Sequence, residues 1–541
     1  MTTARTAPIF GFNQAKPGLV DEVVQRVAEG VKDPLLILND AAYFEIKRLG
    51  SRGGVQLAEW RTLARSLGKM GKPELKEKLQ ELARRYAWDV AGNFDPRVYS
   101  FAAKAMAPLL GALLSPRNMV RHFNRFTSLH ALDDRILVEG PTEELRSLAE
   151  KGTLVFVPTH LSNLDSVVFG FALERAGLPP ATYGAGKNLF TNPVLSFFMH
   201  NLGAYRVDRR LKHALYKDVL KAYSCVLMEH GYHSLFFPGG TRSRSGGVER
   251  RLKLGLAGTG IEAFARTAES GRAQKIFFVP ATINYLLTLE AETLIDDFLQ
   301  EEGKARYIIE DDESTRLGRV TSFMQKLLGL DGAVVIRFSR PVDCFGNTVD
   351  AAGASHDRHG RLVDATGYVV GRGGRPTRDP ARDAQYTREL GDVICAAYKR
   401  DTVGMSTHFV AAAAFAWLRK SVEAGRGRGD IFALLRHADD VVVTRAELAS
   451  ELDGLVDRAR QMELRGEIVL TQSVRTGSGA ALIDEALRAF AGYHTHPVIE
   501  RRGDGLVLAD TRLLFYYQNR LAAHGLGVDL IAPPKARPRA A

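Results

Sequence analysis

Apolar residues change their spacing along this chain, and the changes divide it. From about Asp21 to Leu114 they recur every third or fourth position, as in Glu74-Leu75-Lys76-Glu77-Lys78-Leu79-Gln80-Glu81-Leu82-Ala83, which is the period of an amphipathic helix. From about Arg135 the texture changes. Short apolar runs of strand character, Thr153 to Pro158, Ser234 to Phe237, Lys275 to Val279 and Ala333 to Phe338, alternate with amphipathic stretches at Leu211 to Glu229 and Leu254 to Ala268. That alternation predicts an α/β layer fold whose loops carry the chemistry. After Pro341 comes a segment rich in Gly, Asp and Arg with a near-repeat, Gly346 to Gly353 against Gly360 to Gly367. Two copies are too few for a solenoid and predict small hairpins or an ordered excursion. From about Arg382 to Gly527 the helical spacing returns, and Pro533 to Ala541, without a large apolar side chain, reads as a frayed tail. The expected organisation is a helical N-terminal region 1–134, an α/β domain 135–345, the excursion 346–381, a mainly helical region 382–532 and the tail 533–541.

Composition narrows the function. At 541 residues, 45% hydrophobic and 25% charged, the chain has the make-up of a folded protein of about two to four packed units. A formal charge of +11 favours a polyanionic partner: nucleic acid, an anionic bilayer or a phosphorylated substrate. No zinc-finger spacing and no aromatic-and-basic single-strand platform is present, which argues against nucleic acid. Cys225, Cys344 and Cys395 are too few and too scattered for a disulfide framework, so a reducing compartment is expected. Met1 to Gly18 lacks the apolar core of a signal peptide. The longest apolar runs, Met106 to Leu114 and Phe409 to Leu418, fall short of the roughly 20 residues needed to span a bilayer. Any membrane contact is therefore expected from the side.

Two segments combine the residue types that chemistry needs. Val157-Pro158-Thr159-His160-Leu161-Ser162-Asn163-Leu164-Asp165 follows a strand-like run and opens a helix, which puts His160 at a strand's end, where α/β proteins keep reactive groups. An imidazole there can take a proton from an attacking hydroxyl, and a carboxylate such as Asp165 can fix its tautomer and stabilise the imidazolium. Alone, this spacing is common. The second segment, Phe236-Phe237-Pro238-Gly239-Gly240-Thr241-Arg242-Ser243-Arg244-Ser245-Gly246, joins glycines, hydroxyls and two guanidinium groups in a loop suited to phosphate. Neither it nor Gly184-Ala185-Gly186-Lys187 has nucleotide P-loop spacing. Gly203-Ala204-Tyr205-Arg206-Val207-Asp208-Arg209-Arg210 and Phe278-Val279-Pro280-Ala281-Thr282-Ile283-Asn284-Tyr285 are ordinary taken singly. A metal site from His230, His233 and Cys225 is disfavoured, because strand period turns the two histidines to opposite faces.

In order and spacing these four segments resemble the signature blocks of the glycerolipid acyltransferase superfamily, with the glycerol-3-phosphate acyltransferases the nearer pattern. His160 and Asp165 match the His, four residues, Asp block; Gly203 to Arg209 the second; Phe237 to Ser243 the third; Val279 and Pro280 the fourth. Lys253 in Lys-Leu-Gly, and Leu513-Leu514-Phe515-Tyr516-Tyr517-Gln518-Asn519-Arg520, are similar to elements outside that core. The third block departs at Gly239, where the family carries a Glu expected to contact the acceptor. Asp208 before Arg209 looks more like the lysophosphatidate acyltransferases.

The resemblance implies an α/β core with a mixed sheet flanked by helices. It implies catalysis by His160 and Asp165, with Arg209, Gly240, Thr241, Arg242, Ser243, Arg244, Lys187, Lys253 and Pro280 binding substrate. Neither metal nor cofactor is implied. The donor is acyl-CoA or acyl-carrier protein and the acceptor a glycerol phosphate, with backbone amides near Gly239 and Gly240 as candidate oxyanion donors. The apolar stretch Leu189 to Met199 and the basic clusters imply a peripheral seat on an anionic membrane, at the cytoplasmic face. Two alternatives stand beside the first-step enzyme: a lysophosphatidate acyltransferase, and a non-catalytic lipid-binding protein on the same fold.

Overall fold

The structure, a computed structural model, describes residues 7–50, 53–102, 135–187, 190, 193–302, 333–426 and 441–529. The apolar run at 106–114, Leu189 and the tail at 533–541 lie outside them.

The N-terminal helices are α1 (Phe12–Gly30), α2 (Pro34–Leu49), α3 (Val55–Ser66) and α4 (Lys72–Val90). Their starts are written in local chemistry. Asp33 caps α2 by accepting from the Leu36 amide at 3.1 Å, with proline at the first helical position. The Gly71 amide donates to Glu74 at the head of α4. Helix α4 buries Leu75, Leu79, Leu82, Ala83, Tyr86, Ala87 and Val90, one stripe at helical spacing.

The central layer is a seven-stranded sheet ordered β1-β7-β6-β2-β5-β3-β4. Its strands are β1 (Ile136–Glu139), β2 (Thr153–Pro158), β3 (Thr182–Gly186), β4 (Ala204–Val207), β5 (Ser234–Leu235), β6 (Ile276–Tyr285) and β7 (Val334–Phe338). Strands β6, β2, β5, β3 and β4 run parallel, while β7 pairs antiparallel with β6 and carries β1 with it, so the sheet is mixed. The intervening helices are α5 (Thr142–Ala149), α6 (Asp165–Arg175), α7 (Pro193–Asn201), α8 (Ala214–Glu229), α9 (Ala257–Glu269) and α10 (Ala291–Glu302).

Strand alternation sorts the core into two faces. Leu154, Phe156, Phe277, Val279 and Ile283 point to one, together with Phe169 and the C-terminal residues Phe409, Phe415, Leu513 and Tyr517. Val155, Val157, Ile276 and Phe278 point to the other, against Ile261 and Phe264 of α9 and Leu390 and Ile394 of α11 (Pro380–Arg400). Every residue of β2 and β6 is buried, the pattern of strands covered on both sides. The N-terminal helices pack on α8 and on Tyr205 of β4, closing the β4 edge.

The excursion has a shorter period than the near-repeat suggests. Asp343, Asp350, Asp357 and Asp364 recur every seven residues, each with a glycine three positions on. In all four the glycine amide returns to the aspartate's own carbonyl, at 2.9–3.2 Å. Each aspartate side chain also accepts from the amide two residues on. Three one-bond strands, β8 (Thr348–Val349), β9 (Ser355–His356) and β10 (Leu362–Val363), join these turns into a small antiparallel ribbon.

The C-terminal region contains α12 (Ser406–Arg426), α13 (Arg445–Leu464), α14 (Gln472–Thr476), α15 (Gly479–Phe490) and α16 (Thr511–Ala522). The apolar run Phe409 to Leu418 lies within α12 and is core. Asp510 caps α16 by accepting from Arg512 and Leu513, and every residue of that helix except Arg512 is buried. No helix among the described residues is long and apolar enough to cross a membrane.

Candidate active site

Because β2, β5, β4 and β6 are parallel, the segments that follow or end them share one edge of the sheet: His160 after β2, the loop from Phe237 after β5, Asp208 to Arg210 after β4, and Tyr285 at the end of β6. At the end of β2, the Thr159 amide bonds Ala281 and its hydroxyl takes the Ile283 amide, which carries the chain out level with β6. Helix α6 begins at Asp165, whose carboxylate lies in the first turn, where the helix dipole favours a negative charge.

Asp165 is fully buried and fully used. Its Oδ2 accepts from the Leu161 amide at 2.6 Å and the Ser162 amide at 2.9 Å, and lies 2.8 Å from His160 Nδ1; its Oδ1 accepts from the Tyr285 hydroxyl at 2.7 Å. Burial, then the neighbouring Asp165 charge, holds the Tyr285 phenol well above its usual pKa, so it remains a donor. A ring that gives its Nδ1 proton to a carboxylate keeps Nε2 as the basic nitrogen. The His160 ring is only partly buried and stacks on Phe237, with centroids 4.2 Å apart.

The third-block loop grips the His160 main chain. The Ser243 amide donates to the His160 carbonyl at 2.7 Å, and the His160 amide donates to Glu249 Oε1 at 2.9 Å. Gly240 has φ 75°, a conformation that strains any side chain, and Lys253 lies over it so closely that a Cβ would have to displace the tip of the lysine. The Gly240 amide donates to the Phe237 carbonyl at 3.0 Å, which takes it out of the role of oxyanion donor. Gly246, at φ 76°, lets α16 approach the loop at Tyr516, and Asn519 donates to the Ser245 carbonyl at 2.9 Å.

The cations divide into those at the site and those held elsewhere. Arg242 Nη1 lies 3.4 Å from Glu290 Oε1, which also accepts from the Asn163 amide at 3.0 Å, so a buried carboxylate joins the first and third blocks. Arg209 is depressed in pKa by its crowded surroundings and then by the Arg242 charge; its side chain still meets solvent, and it stays a cation beside a second cation. Two like charges held together favour an anion between them. Arg244 turns away to Asp297 and Glu301 on α10, 3.5 Å from the former. Lys187 pairs with Asp89 of α4 at 2.9 Å and lies 3.8 Å from Asp208, so its charge is spent on that ion cluster. Thr241 is exposed on the loop, and the Ser243 hydroxyl donates to the Gly247 carbonyl. Pro280 is buried within β6, between β2 and β7, and acts as a strand residue rather than as a lining one.

The histidines weighed for a metal have other occupations. His230 ends α8 and contacts Glu22, and His233 Nδ1 accepts from the Leu154 amide. No group of three or more His, Cys, Asp or Glu side chains among the described residues is placed to hold a metal ion. Sequence reasoning missed Glu249, Glu290 and Arg520 as members of this site. It quoted Tyr285 only as the polar end of a strand. Their one sequence signal is a polar residue beside a block, and long-range folding alone brings them to His160.

An acyltransferase family model matches residues 138–284, the stretch that holds all four blocks. The glycerol-3-phosphate acyltransferases of Pseudomonas paraeruginosa and Xanthomonas axonopodis pv. citri are each 25% identical, over 268 and 261 residues; the matches cover 49% and 48% of this chain. The enzyme of that name from Histophilus somni is 29% identical over 202 residues. This chain matches only 28%, 26% and 23% of the three relatives' own lengths. A solved 1-acyl-sn-glycerophosphate acyltransferase from Thermotoga maritima aligns over 57% of this chain and 92% of its own, with 12% identity and a TM-score of 0.25, too low to bear on the acceptor. Residues 138–284 therefore carry an acyltransferase domain, in a chain that is similar over about half its length to glycerol-3-phosphate acyltransferases.

Proposed function

We propose that this protein transfers a fatty acyl group from a thioester, acyl-CoA or acyl-carrier protein, to the sn-1 hydroxyl of glycerol 3-phosphate, the first step of phospholipid synthesis. The observation that carries this reading is the His160–Asp165 contact at the sheet edge from which the segments bearing Arg209 and Arg242 also issue. The acceptor's hydroxyl proton passes to His160 Nε2 as its oxygen bonds to the thioester carbonyl carbon. Collapse of the tetrahedral intermediate breaks the carbon–sulfur bond, and the leaving thiolate takes the proton from the imidazolium. Asp165 stabilises that imidazolium, and Tyr285 keeps Asp165 in place. Arg242 and Arg209 hold the acceptor phosphate, and Lys253 covers the loop beneath it. Transfer is direct, without an acyl-enzyme and without a metal or organic cofactor.

A seat on an anionic membrane surface, at the cytoplasmic face, is supported by Phe101 and Phe197, large aromatic residues left exposed, with Phe198 stacked on Phe101. Flotation with vesicles is expected to recover the protein only when anionic lipid is present.

The deciding experiment offers the purified protein glycerol 3-phosphate, dihydroxyacetone phosphate and lysophosphatidate in turn, with each thioester, and follows thiol release. Acceptor-dependent release with glycerol 3-phosphate is expected. Release with lysophosphatidate alone would make it a lysophosphatidate acyltransferase, for which the Asp208-Arg209 order speaks. No release with any acceptor would leave a lipid-binding protein.

A further inference from the structure

Two charged groups beside His160 are left incompletely satisfied. Glu249 uses Oε1 on the His160 amide, while Oε2 is enclosed without a hydrogen bond, although the residue as a whole is partly exposed. Arg520, from α16, is buried. Its Nη2 donates to the Ile283 carbonyl at 3.1 Å and to Asn284 Oδ1 at 2.8 Å, but Nε and Nη1 have no partner. Enclosed charges without full hydrogen bonding are costly, and Glu249 and Arg520 attract each other without forming an ion pair. Burial raises the Glu249 pKa and lowers that of Arg520, and the mutual attraction of the two opposes both shifts.

Position 239 shows how this carboxylate reaches the site. Gly239 has no positive φ, unlike Gly240 and Gly246, so its missing side chain answers to space and not to backbone conformation. A Cβ there would lie 3.4 Å from both Cγ and Oε1 of Glu249. A methyl group fits at that distance, and anything longer displaces the carboxylate. It is also a distance that a glutamate spans from its own Cβ to its carboxyl oxygen. A glutamate rooted at 239, where the family pattern has one, has the reach to bring its oxygen to the point that Glu249 occupies.

We infer that Glu249 is the positioning residue of this site: through the His160 amide it holds the imidazole against Asp165, with Gly239 as the space that admits it. The two positions then form an exchangeable pair, one carboxylate supplied from either. The kinetic side of this inference rests on the acyl-transfer reading; the structural side does not.

The test uses the full chain and four variants. Glu249→Ala is expected to lower kcat about 100-fold with KM for glycerol 3-phosphate changed less than about threefold, because misplacing a base costs turnover and not binding. Glu249→Gln keeps an acceptor oxygen for the His160 amide and is expected to stay within about tenfold of the parent. Gly239→Glu alone should fall as far as Glu249→Ala, and Gly239→Glu with Glu249→Ala should recover to within about tenfold of the parent. In parallel, selective 15N labelling of the 14 histidines gives an amide spectrum in which the His160 resonance is identified by its loss in His160→Gln. That resonance should shift in Glu249→Ala and return in the double variant. Parent-like kcat in Glu249→Ala, an unmoved His160 amide, or a double variant no better than Gly239→Glu would each overturn the inference. Should Glu249→Ala fail to fold, the double variant, which retains one carboxylate, carries the decision. If the parent transfers no acyl group at all, the functional reading falls and the amide resonance alone decides this one.

Discussion

His233 and His160 bracket strand β2. Beside its start, His233 is enclosed, and its Nδ1 accepts from the Leu154 amide at 3.0 Å; beyond its end, His160 is only partly buried, and its Nδ1 faces the Asp165 carboxylate at 2.8 Å. Burial pushes the His233 pKa down to about 4, so the ring stays neutral and serves as a fixed acceptor for the sheet. A ring whose acceptor is spent on a backbone amide has no basic nitrogen left for substrate. A ring whose donor is spent on a carboxylate keeps one. The same residue type at opposite ends of strand β2 thus becomes structure or chemistry according to which ring nitrogen the protein consumes.

Substitutions that erase or exaggerate this contrast are expected to have graded effects. Asp165→Asn should make His160 resemble His233, by removing the charge that fixes the tautomer, and lower kcat about 1000-fold with the fold retained; circular dichroism and thiol release check the two halves. Arg242→Ala leaves the imidazole pair intact and should raise KM for glycerol 3-phosphate about 30-fold, with Arg242→Lys recovering part of it. Tyr285→Phe removes one hydrogen bond to Asp165 and should cost about tenfold in kcat. His233→Gln should leave turnover unchanged, since it lies at the far end of the strand, and its effect should show in acid stability. The folded pKa of His233, about 4, lies below the ordinary 6.5. Its contribution to stability is therefore full above about pH 6.5 and is lost as pH falls through that window to about 4, an amount of order 3 kcal/mol. Buried His408, lowered to about 3, acts in the same direction. Melting temperature followed from pH 7 to 4 should fall less steeply in His233→Gln than in the parent.

The contrast was only partly legible in the sequence. The apolar runs at Thr153, Ser234, Lys275 and Ala333 are strands of one sheet, because continuous apolar residues bounded by turn formers have few other solutions. Spacing alone puts Asp165 in the first turn of a helix and so within reach of a histidine that ends a strand. What spacing could not show is which charges the fold spends elsewhere. Lys187 reads as a phosphate ligand until Asp89, 98 positions away, is found to hold it. Arg244 reads like Arg242 until α10 presents Glu301. Glu249 carries no local pattern and is drawn in through the space at Gly239, while Arg520, quoted only as the end of the Leu513 to Arg520 element, is delivered by a helix whose docking depends on Gly246. The seven-residue aspartate turn was hidden because its apolar positions vary, while its Asp and Gly do not.

The central claim, that Asp165 makes His160 the base for acyl transfer, is tested most directly by thiol release from acyl-CoA and from acyl-carrier protein, with glycerol 3-phosphate and with lysophosphatidate, in His160→Ala and His233→Gln side by side. Acceptor-dependent release at the parental rate in His233→Gln, and its loss by about 1000-fold or more in a folded His160→Ala, is the expected result. Parental turnover in His160→Ala would contradict the account.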